Sequence, residues 1–471
     1  MHPHRRLSWF LCPIVVLAAA CRSATTPIEP DPVVLEPVGL SIIRELDVLF
    51  VVDDSGSMMQ EQAALASGFD RFTEALKDQD GELPGLHLGV VSSNVGTGPV
   101  GGGGDACAGQ GDDGALLVPE TCTALTDGSR FIRDLPAAGG EREVNYAGTL
   151  AEQFGCMAQL GVHGCGFEQH FESMRRALGS QELNAGFLRA DASLAVVIVA
   201  DEDDCSAYDR AIFDPTQDDR TAPLGELSSF RCFEFGVECA PVEGDERSVG
   251  PRTDCAPEED SPYIESVSSY VDFLRGLKAD PDKVFVSAIT GDSGPAVVEE
   301  DISKTPPELA VAPTCTICPG GATSGCSAFD ALVSAAPAIR MQALVDALGA
   351  GGHRQDICAY DAETDSLDFG AVLAGIAEQL APRIATSCLD IAPADTDPDT
   401  TGIQVTCEVT ESAGGSDTAI PACDAGAGNA PCFRLRDNPD QCPATGLALA
   451  IERGAAPAPA GAVLSLRCAL P

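Results

Sequence analysis

The stretch that most limits what this chain can fold into is Asp47 to Met58, DVLFVVDDSGSM. Five apolar residues, Val48 to Val52, run without polar alternation and stop at two aspartates, a serine, a glycine and a second serine. An unalternating run marks a strand buried on both faces, which belongs in a parallel sheet covered by helices on each side. The following segment, MMQEQAALASGFDRFTEAL, sets Leu65, Phe69, Phe72 and Leu76 on one helical face, as a covering helix requires.

The same grammar continues along the chain. GLHLGVVSS, ASLAVVIVADEDD and KVFVSAITG read as further strands, and TLAEQFGCMAQLG, FEQHFESMRRALGS, YIESVSSYVDFLRGL, IRMQALVDALG and FGAVLAGIAEQLA as helices. The predicted fold class is therefore α/β, a doubly wound and mostly parallel sheet over residues 41–388. A Gly-rich excursion (94–113) and a cysteine-bearing stretch (205–260) are long insertions in it. Residues 389–471 are poor in core-forming side chains but carry five cysteines from Cys407 to Cys468, which predicts a small disulfide-stapled β module.

The N-terminus reads as an export signal. Arg5 and Arg6 precede the apolar run LSWFLCPIVVLAAAC, and residues 1–21 form the expected signal peptide. Leu17-Ala18-Ala19-Ala20-Cys21 resembles a bacterial lipobox with Cys21 as the lipidated residue, although Ala-Ala-Ala also suits ordinary signal cleavage. Residues 22–40, rich in proline, then serve as a tether, and contact with membrane runs only through the acyl anchor. Setting Cys12 and Cys21 aside leaves 18 of the 20 cysteines, an even number suited to disulfides in an oxidising compartment. Neighbours such as Cys156 with Cys165, or Cys232 with Cys239, are candidate pairs that sequence alone does not fix. The chain carries 28 basic against 72 acidic residues, a net charge of −44, which argues against nucleic acid as a partner. The expected location is exported: outer-membrane- or surface-anchored, or periplasmic.

Ligands of open α/β sheets lie beyond the carboxyl ends of the strands. Asp53, Ser55 and Ser57 occupy that position after the first strand, with Gly56 easing a tight turn. A second apolar strand, VVIVADEDDC, also ends in acid, and if the two strands are neighbours Asp201 faces the same point as Asp53. One carboxylate, two hydroxyls and an opposing carboxylate are hard oxygen ligands, suited to Mg²⁺ or Ca²⁺ rather than zinc. The plainer alternative makes Ser55 or Ser57 a helix cap. Asp203 and Asp204 read equally as a helix start and as part of a second cation site.

Asp53-x-Ser55-Gly56-Ser57, the amphipathic helix beginning MMQEQ and the later strand ending at Asp201 together resemble a von Willebrand factor type A (VWA) domain with its metal-ion-dependent adhesion site. The pieces GCGFEQ and DEDDCS also resemble bacterial lipoproteins that carry such a domain. The resemblance implies that Asp53, Ser55, Ser57 and Asp201 bind Mg²⁺ (or Ca²⁺ or Mn²⁺), and that a partner protein's acidic side chain completes the coordination. A threonine from a third loop usually contributes. Here QLGVHGCGFEQ offers Val162, His163 and Cys165 instead, leaving Thr149 and Asp203 as additional candidates. The implied function is metal-dependent protein binding or adhesion. The alternative is a structural cell-envelope scaffold whose metal site is degenerate.

Other signals are weak. GDSGP (291–295) matches a serine-protease nucleophile segment but follows a parallel strand, where a turn is the better reading. Cys315-x-x-Cys318, near Cys326, reads as a disulfide loop ahead of a zinc half-site. There is no Walker loop, G-x-G-x-x-G or H-E-x-x-H, and the chain is not expected to be an enzyme.

Overall fold

The structure, a computed structural model of the full chain, describes residues 34–471 apart from 79–80, 138–139, 180–181, 242–246, 327–329, 398, 401–403, 424–430, 440–441, 454–458 and 460–461. The signal segment, Cys21 and most of the predicted tether lie outside the described residues.

Five parallel strands form the centre of an α/β sheet: β2 (Leu40–Val52), β3 (Gly85–Ser92), β6 (Ser193–Val199), β7 (Val284–Thr290) and β10 (Gly352–Asp356). Their spatial order is β3-β2-β6-β7-β10, with antiparallel β4 (Ile132–Pro136) and β5 (Arg142–Val144) extending the β3 side. By chain order this is 2-1-3-4-5, so the sheet reverses direction of growth between β2 and β6.

Both faces of the sheet are covered, as the unalternating run demands. Val48, Phe50 and Val52 pack under α1 (Met59–Leu76), α2 (Leu150–Met157) and α7 (Gly370–Leu380). Leu49 and Val51 pack under α3 (His170–Gly179), α5 (Val267–Gly276) and α6 (Ile339–Ala347). The predicted stripe Leu65, Phe69, Phe72 and Leu76 is fully buried. Within it Phe69 stacks on Phe154 with ring centroids 3.8 Å apart, and Phe50 lies 4.6 Å from Phe154.

The C-terminal module is β, but it begins earlier in the chain than its composition suggests. β1 (Glu36–Val38), read from sequence as tether, pairs with β16 (Val463–Cys468). The first half of β2 pairs antiparallel with β11 (Ala385–Leu389), and β11 continues into β15 (Leu447–Glu452) and β14 (Cys432–Asp437). A second sheet places β16 between β1 and β12 (Cys407–Ala413), with β13 (Ser416–Ile420) at the edge. Val38, Leu389, Val409, Phe433, Leu449 and Leu466 from both sheets share one small core. The two strands flanking the Pro/Ala segment thus enter different sheets.

All 18 cysteines after the signal segment pair with one another in nine disulfides. The near-neighbour pairings suggested by sequence do not occur. Cys165 bonds Cys107 and Cys156 bonds Cys122, while Cys232 bonds Cys205 and Cys239 bonds Cys255. Sequence proximity misleads here because insertion loops from distant parts of the chain meet over the sheet. Cys315 and Cys318 are disulfide-bonded to Cys358 and Cys326, so neither is a zinc ligand. Among the described residues no helix is long and apolar enough to cross a membrane.

The contact between α1 and α7 depends on Gly68. A Cβ there would stand 2.8 Å from the Gly370 amide nitrogen and 2.9 Å from the Phe369 carbonyl carbon, both backbone atoms. Gly68→Ala gains about 1 kcal/mol of helix propensity, but forcing two backbones apart costs about 1–3 kcal/mol. The expected outcome is a net destabilisation of about 1 kcal/mol, read as a lower urea midpoint at unchanged m value. A raised midpoint would show that the helices are not in close contact.

Candidate metal centre at the strand ends

β2 and β6 are neighbours, and the Asp53 amide donates to the Val199 carbonyl at 3.0 Å, so the chain leaves both strands at one place. This is where the sheet changes direction, a point at which two adjacent loops diverge and leave a crevice.

The first loop turns on Asp53. Its Oδ1 accepts from the Ser55 amide at 2.7 Å, and its carbonyl accepts from Gln62 Nε2 at 2.8 Å. Its Oδ2 is buried and has no hydrogen-bond partner. Ser55 Oγ and Ser57 Oγ lie 3.2 Å apart. Neither serine caps α1: the residue at the cap position is Met58, with no side-chain cap bond. The cap reading of this motif therefore fails, and the hydroxyls face each other and, through Ser57, Asp201 across the crevice. Ser57 and Gly56 are exposed while Asp53 and Ser55 are buried, so the site opens to solvent through Ser57.

The loop after β6 divides its four acids between two duties. Asp201 is buried and its Oδ1 has no hydrogen-bond partner. Burial raises its pKa well above the usual range, and the charges of Asp53, Glu202 and Glu61 push it further while the Ser57 hydroxyl opposes. Asp203, a candidate cation ligand by sequence, accepts from the backbone amides of Arg340 and Met341 at 2.8 and 3.2 Å, at the start of α6. Asp204 pairs with the fully buried Arg340 at 3.1 Å and accepts from the Phe171 amide at the start of α3. Both carboxylates serve as helix starts. Thr149 caps α2 in a capping box with Glu152, its hydroxyl and amide both engaged by that glutamate.

The third loop supplies acid in place of the expected threonine. Val162 offers no ligand atom, His163 is exposed, and Cys165 is in a disulfide. Instead Glu168 lies buried beneath the loop. Burial raises its pKa, and then the charge of Glu202, the charge of Asp53 and a hydrogen bond to Glu202 raise it further. Two residues on, His170 Nε2 is 3.4 Å from Asp53 Oδ2, an ion-pair contact without hydrogen-bond alignment. Burial alone would lower the His170 pKa, but Asp53, Asp204 and Asp203 outweigh it and raise it. The loop is pinned by Cys107–Cys165, by Cys205 N donating to the Glu168 carbonyl at 2.8 Å and by Gln169 N donating to the Ser93 carbonyl at 3.0 Å.

A further acid comes from the first turn of α1. Glu61 is 1% exposed and neither carboxylate oxygen has a hydrogen-bond partner. Burial, with the Asp53 charge behind it, raises its pKa to about 8. Asp54, beside it in the loop, is raised to about 7 by burial and then by Asp53 and Asp112. The sequence reading missed Glu61 because a glutamate in a first helical turn is ordinarily a solvated dipole partner.

Buried carboxylates with unpartnered oxygens, two hydroxyls and an exposed mouth fit a hard divalent cation. Asp53, Ser55, Ser57 and Asp201 are the residues that would hold it, with Glu61 beside them. His170 is the one buried basic group in contact with Asp53 among the described residues, too little to balance Asp53, Glu61 and Asp201.

No protein-family model matches this sequence, and no curated protein does. Among solved structures, the pilus adhesin SpaC from Lactobacillus rhamnosus GG (open conformation) is 11% identical over 90% of this chain at a TM-score of 0.31, and the chain spans 38% of that adhesin. A von Willebrand factor type A protein from Catenulispora acidiphila is 10% identical over 93% of this chain and 66% of its own, at a TM-score of 0.30. Likeness this slight carries no argument; strand order and side-chain geometry do.

The raised carboxyls predict how the metal-free protein responds to pH. Glu61 and Asp54 hold protons in the folded state at pH values where the unfolded chain has lost them, so the folded state binds more protons. Stability is greatest below the ordinary carboxyl pKa and is lost as pH rises, between 4.5 and about 8 for Glu61. Each such group contributes about 1.4 kcal/mol per pH unit within its window. In EDTA the melting temperature should fall across this range. Mg²⁺ should flatten the fall, and Glu61→Gln should flatten it without metal. Parallel slopes in all three cases would show that these acids are not where a cation acts.

Proposed function

We propose that this chain is a metal-dependent protein-binding module of the bacterial cell surface or envelope, held there through Cys21. Mg²⁺ or a similar cation would sit at Asp53, Ser55, Ser57 and Asp201, its free coordination position facing solvent beside Ser57. When bound, the cation supplies a Lewis-acidic point for an acidic side chain of the partner. The protein's part is to hold hard oxygens in a buried cluster and leave one side open.

The observation that carries this reading is that Asp53 Oδ2 and Asp201 Oδ1, on neighbouring strand ends, are buried without a hydrogen-bond partner, the former meeting only His170 Nε2 at 3.4 Å. Leaving buried carboxylate oxygens unsatisfied is costly, and a divalent cation between the loops removes that cost. The nine disulfides suit export to an oxidising compartment. The insertions, gathered around Cys107–Cys165, Cys205–Cys232 and Phe213, would set partner specificity around the site.

Thermal melts in EDTA, Mg²⁺ and Ca²⁺ test the metal, and immobilised peptides with Asp or Glu exchanged for Asn or Gln test the partner. A cation at about 100 times its Kd should add about 2.7 kcal/mol to stability. That gain should vanish in Asp53→Ala and Asp201→Asn. Acidic peptides should be retained in Mg²⁺ and released by EDTA. Absence of any cation response in the unaltered protein would leave the scaffold reading in its place.

A further inference from the structure

A cavity of about 120 Å³ lies beside the metal centre, between the strand-end loops and the insertions. Glu168 and Glu202 form its acidic end. Its apolar lining comes from Phe230 and Phe233 of α4 (Phe230–Gly236), with ring centroids 5.9 Å apart, and from Ala310 and Val311 of the strand β9 (Glu308–Val311), which pairs with β8 (Val297–Asp301). Asp203 and Asp204 also line it, but their charges are taken up by the α6 amides and Arg340. Glu168 and Glu202 are different. Neither forms an ion pair among the described residues; they share a hydrogen bond with each other, and His170 and Lys304 act on Glu202 only through space.

We propose that this cavity receives the basic side chain, lysine or arginine, of the bound partner, next to the acidic group that meets the metal. The inference rests on the binding reading above and adds to it the second half of the recognised motif. Charge complementarity chooses the occupant. A purely apolar side chain would fill the Phe230–Phe233–Val311 wall but leave the charge of the hydrogen-bonded Glu168–Glu202 pair desolvated against it. A second divalent cation would find oxygen on one side and hydrocarbon on the other, which is poor coordination. A lysine or arginine side chain answers both ends: its methylene stem lies along apolar surface while its head meets the acids. The aromatic walls also favour a cation. The overall charge of −44 draws such a partner in.

The test uses the intact chain, with pentylammonium as probe and 1-pentanol as its uncharged counterpart, followed by melting temperature and NMR chemical shifts, with and without Mg²⁺. Pentylammonium should stabilise the protein saturably, with pentanol at least tenfold weaker. Ala310→Phe, which fills the cavity, should lose the amine response and keep the Mg²⁺ response. Asp53→Ala should do the reverse. Equal binding of amine and alcohol, or an amine response unchanged in Ala310→Phe, overturns the cavity assignment, and the first comparison needs no variant to fold. A lost Mg²⁺ response with the amine response intact in the unaltered protein overturns the metal reading alone.

Discussion

The constraint on which this structure depends is a cluster of buried carboxyl groups that basic residues do not balance, so that burial and mutual repulsion hold several of them toward the protonated form. Asp53, Glu61, Glu168 and Asp201 are buried at one end of a parallel sheet, and His170 is the basic residue in contact with Asp53. Elsewhere the chain handles buried charge conventionally. Near the start of the parallel-paired segment of β2 (Glu45–Val52), Asp47 is held by Arg189 at 2.7 Å with Lys278 3.7 Å away. Asp204 has Arg340. The contrast between the two ends of the parallel-paired segment argues that the unbalanced end is kept for a ligand, since the same fold demonstrably pairs buried acids where pairing is all that is needed.

Placing acids so close is feasible only if the loops carrying them cannot spread apart. The covering insertions do that work. Cys107–Cys165 joins the Gly-rich excursion after β3 to the loop that carries Glu168, and Cys205–Cys232 joins the acid loop after β6 to the helix α4. Phe167, Ile212, Phe213 and Ile264 fill the space between these bridges as a small separate core. Cross-links that close long loops restrict the unfolded chain most. Here they also fix the distance between charges that repel, which hydrophobic contact in so small a core would do poorly.

Much of this was legible in the sequence, and the boundary of legibility is physical. Val48 to Val52 announced a doubly covered strand because burial on both faces leaves no polar alternation. Asp53, Ser55 and Ser57 were legible because they lie within one loop, and Asp201 because it ends a strand of the same kind. Glu168 was not, because its role depends on a loop whose path is set by a disulfide to Cys107 and not by local pattern. Glu61 was hidden by its type: nothing in a helical wheel separates a buried first-turn glutamate from a solvated one. The long β2 was read too short, since Leu40 to Glu45 show no regular apolar pattern and only tertiary pairing with Ala385–Leu389 shows that one strand carries both the parallel sheet and its antiparallel extension.

The acid loop Asp201–Asp204 shows how a single tetrapeptide separates structure from function. Asp203 and Asp204 bind the amide ends of α6 and α3, so two of the three helices on that face of the sheet are tied to it. Asp201 and Glu202 are then displayed from an anchored backbone, toward the metal centre and the cavity respectively. Four successive acids would repel one another in a free loop. With two of them committed to helix amides and Arg340, Asp201 and Glu202 are left facing Asp53 and Glu168, where an incoming cation of either kind relieves the repulsion.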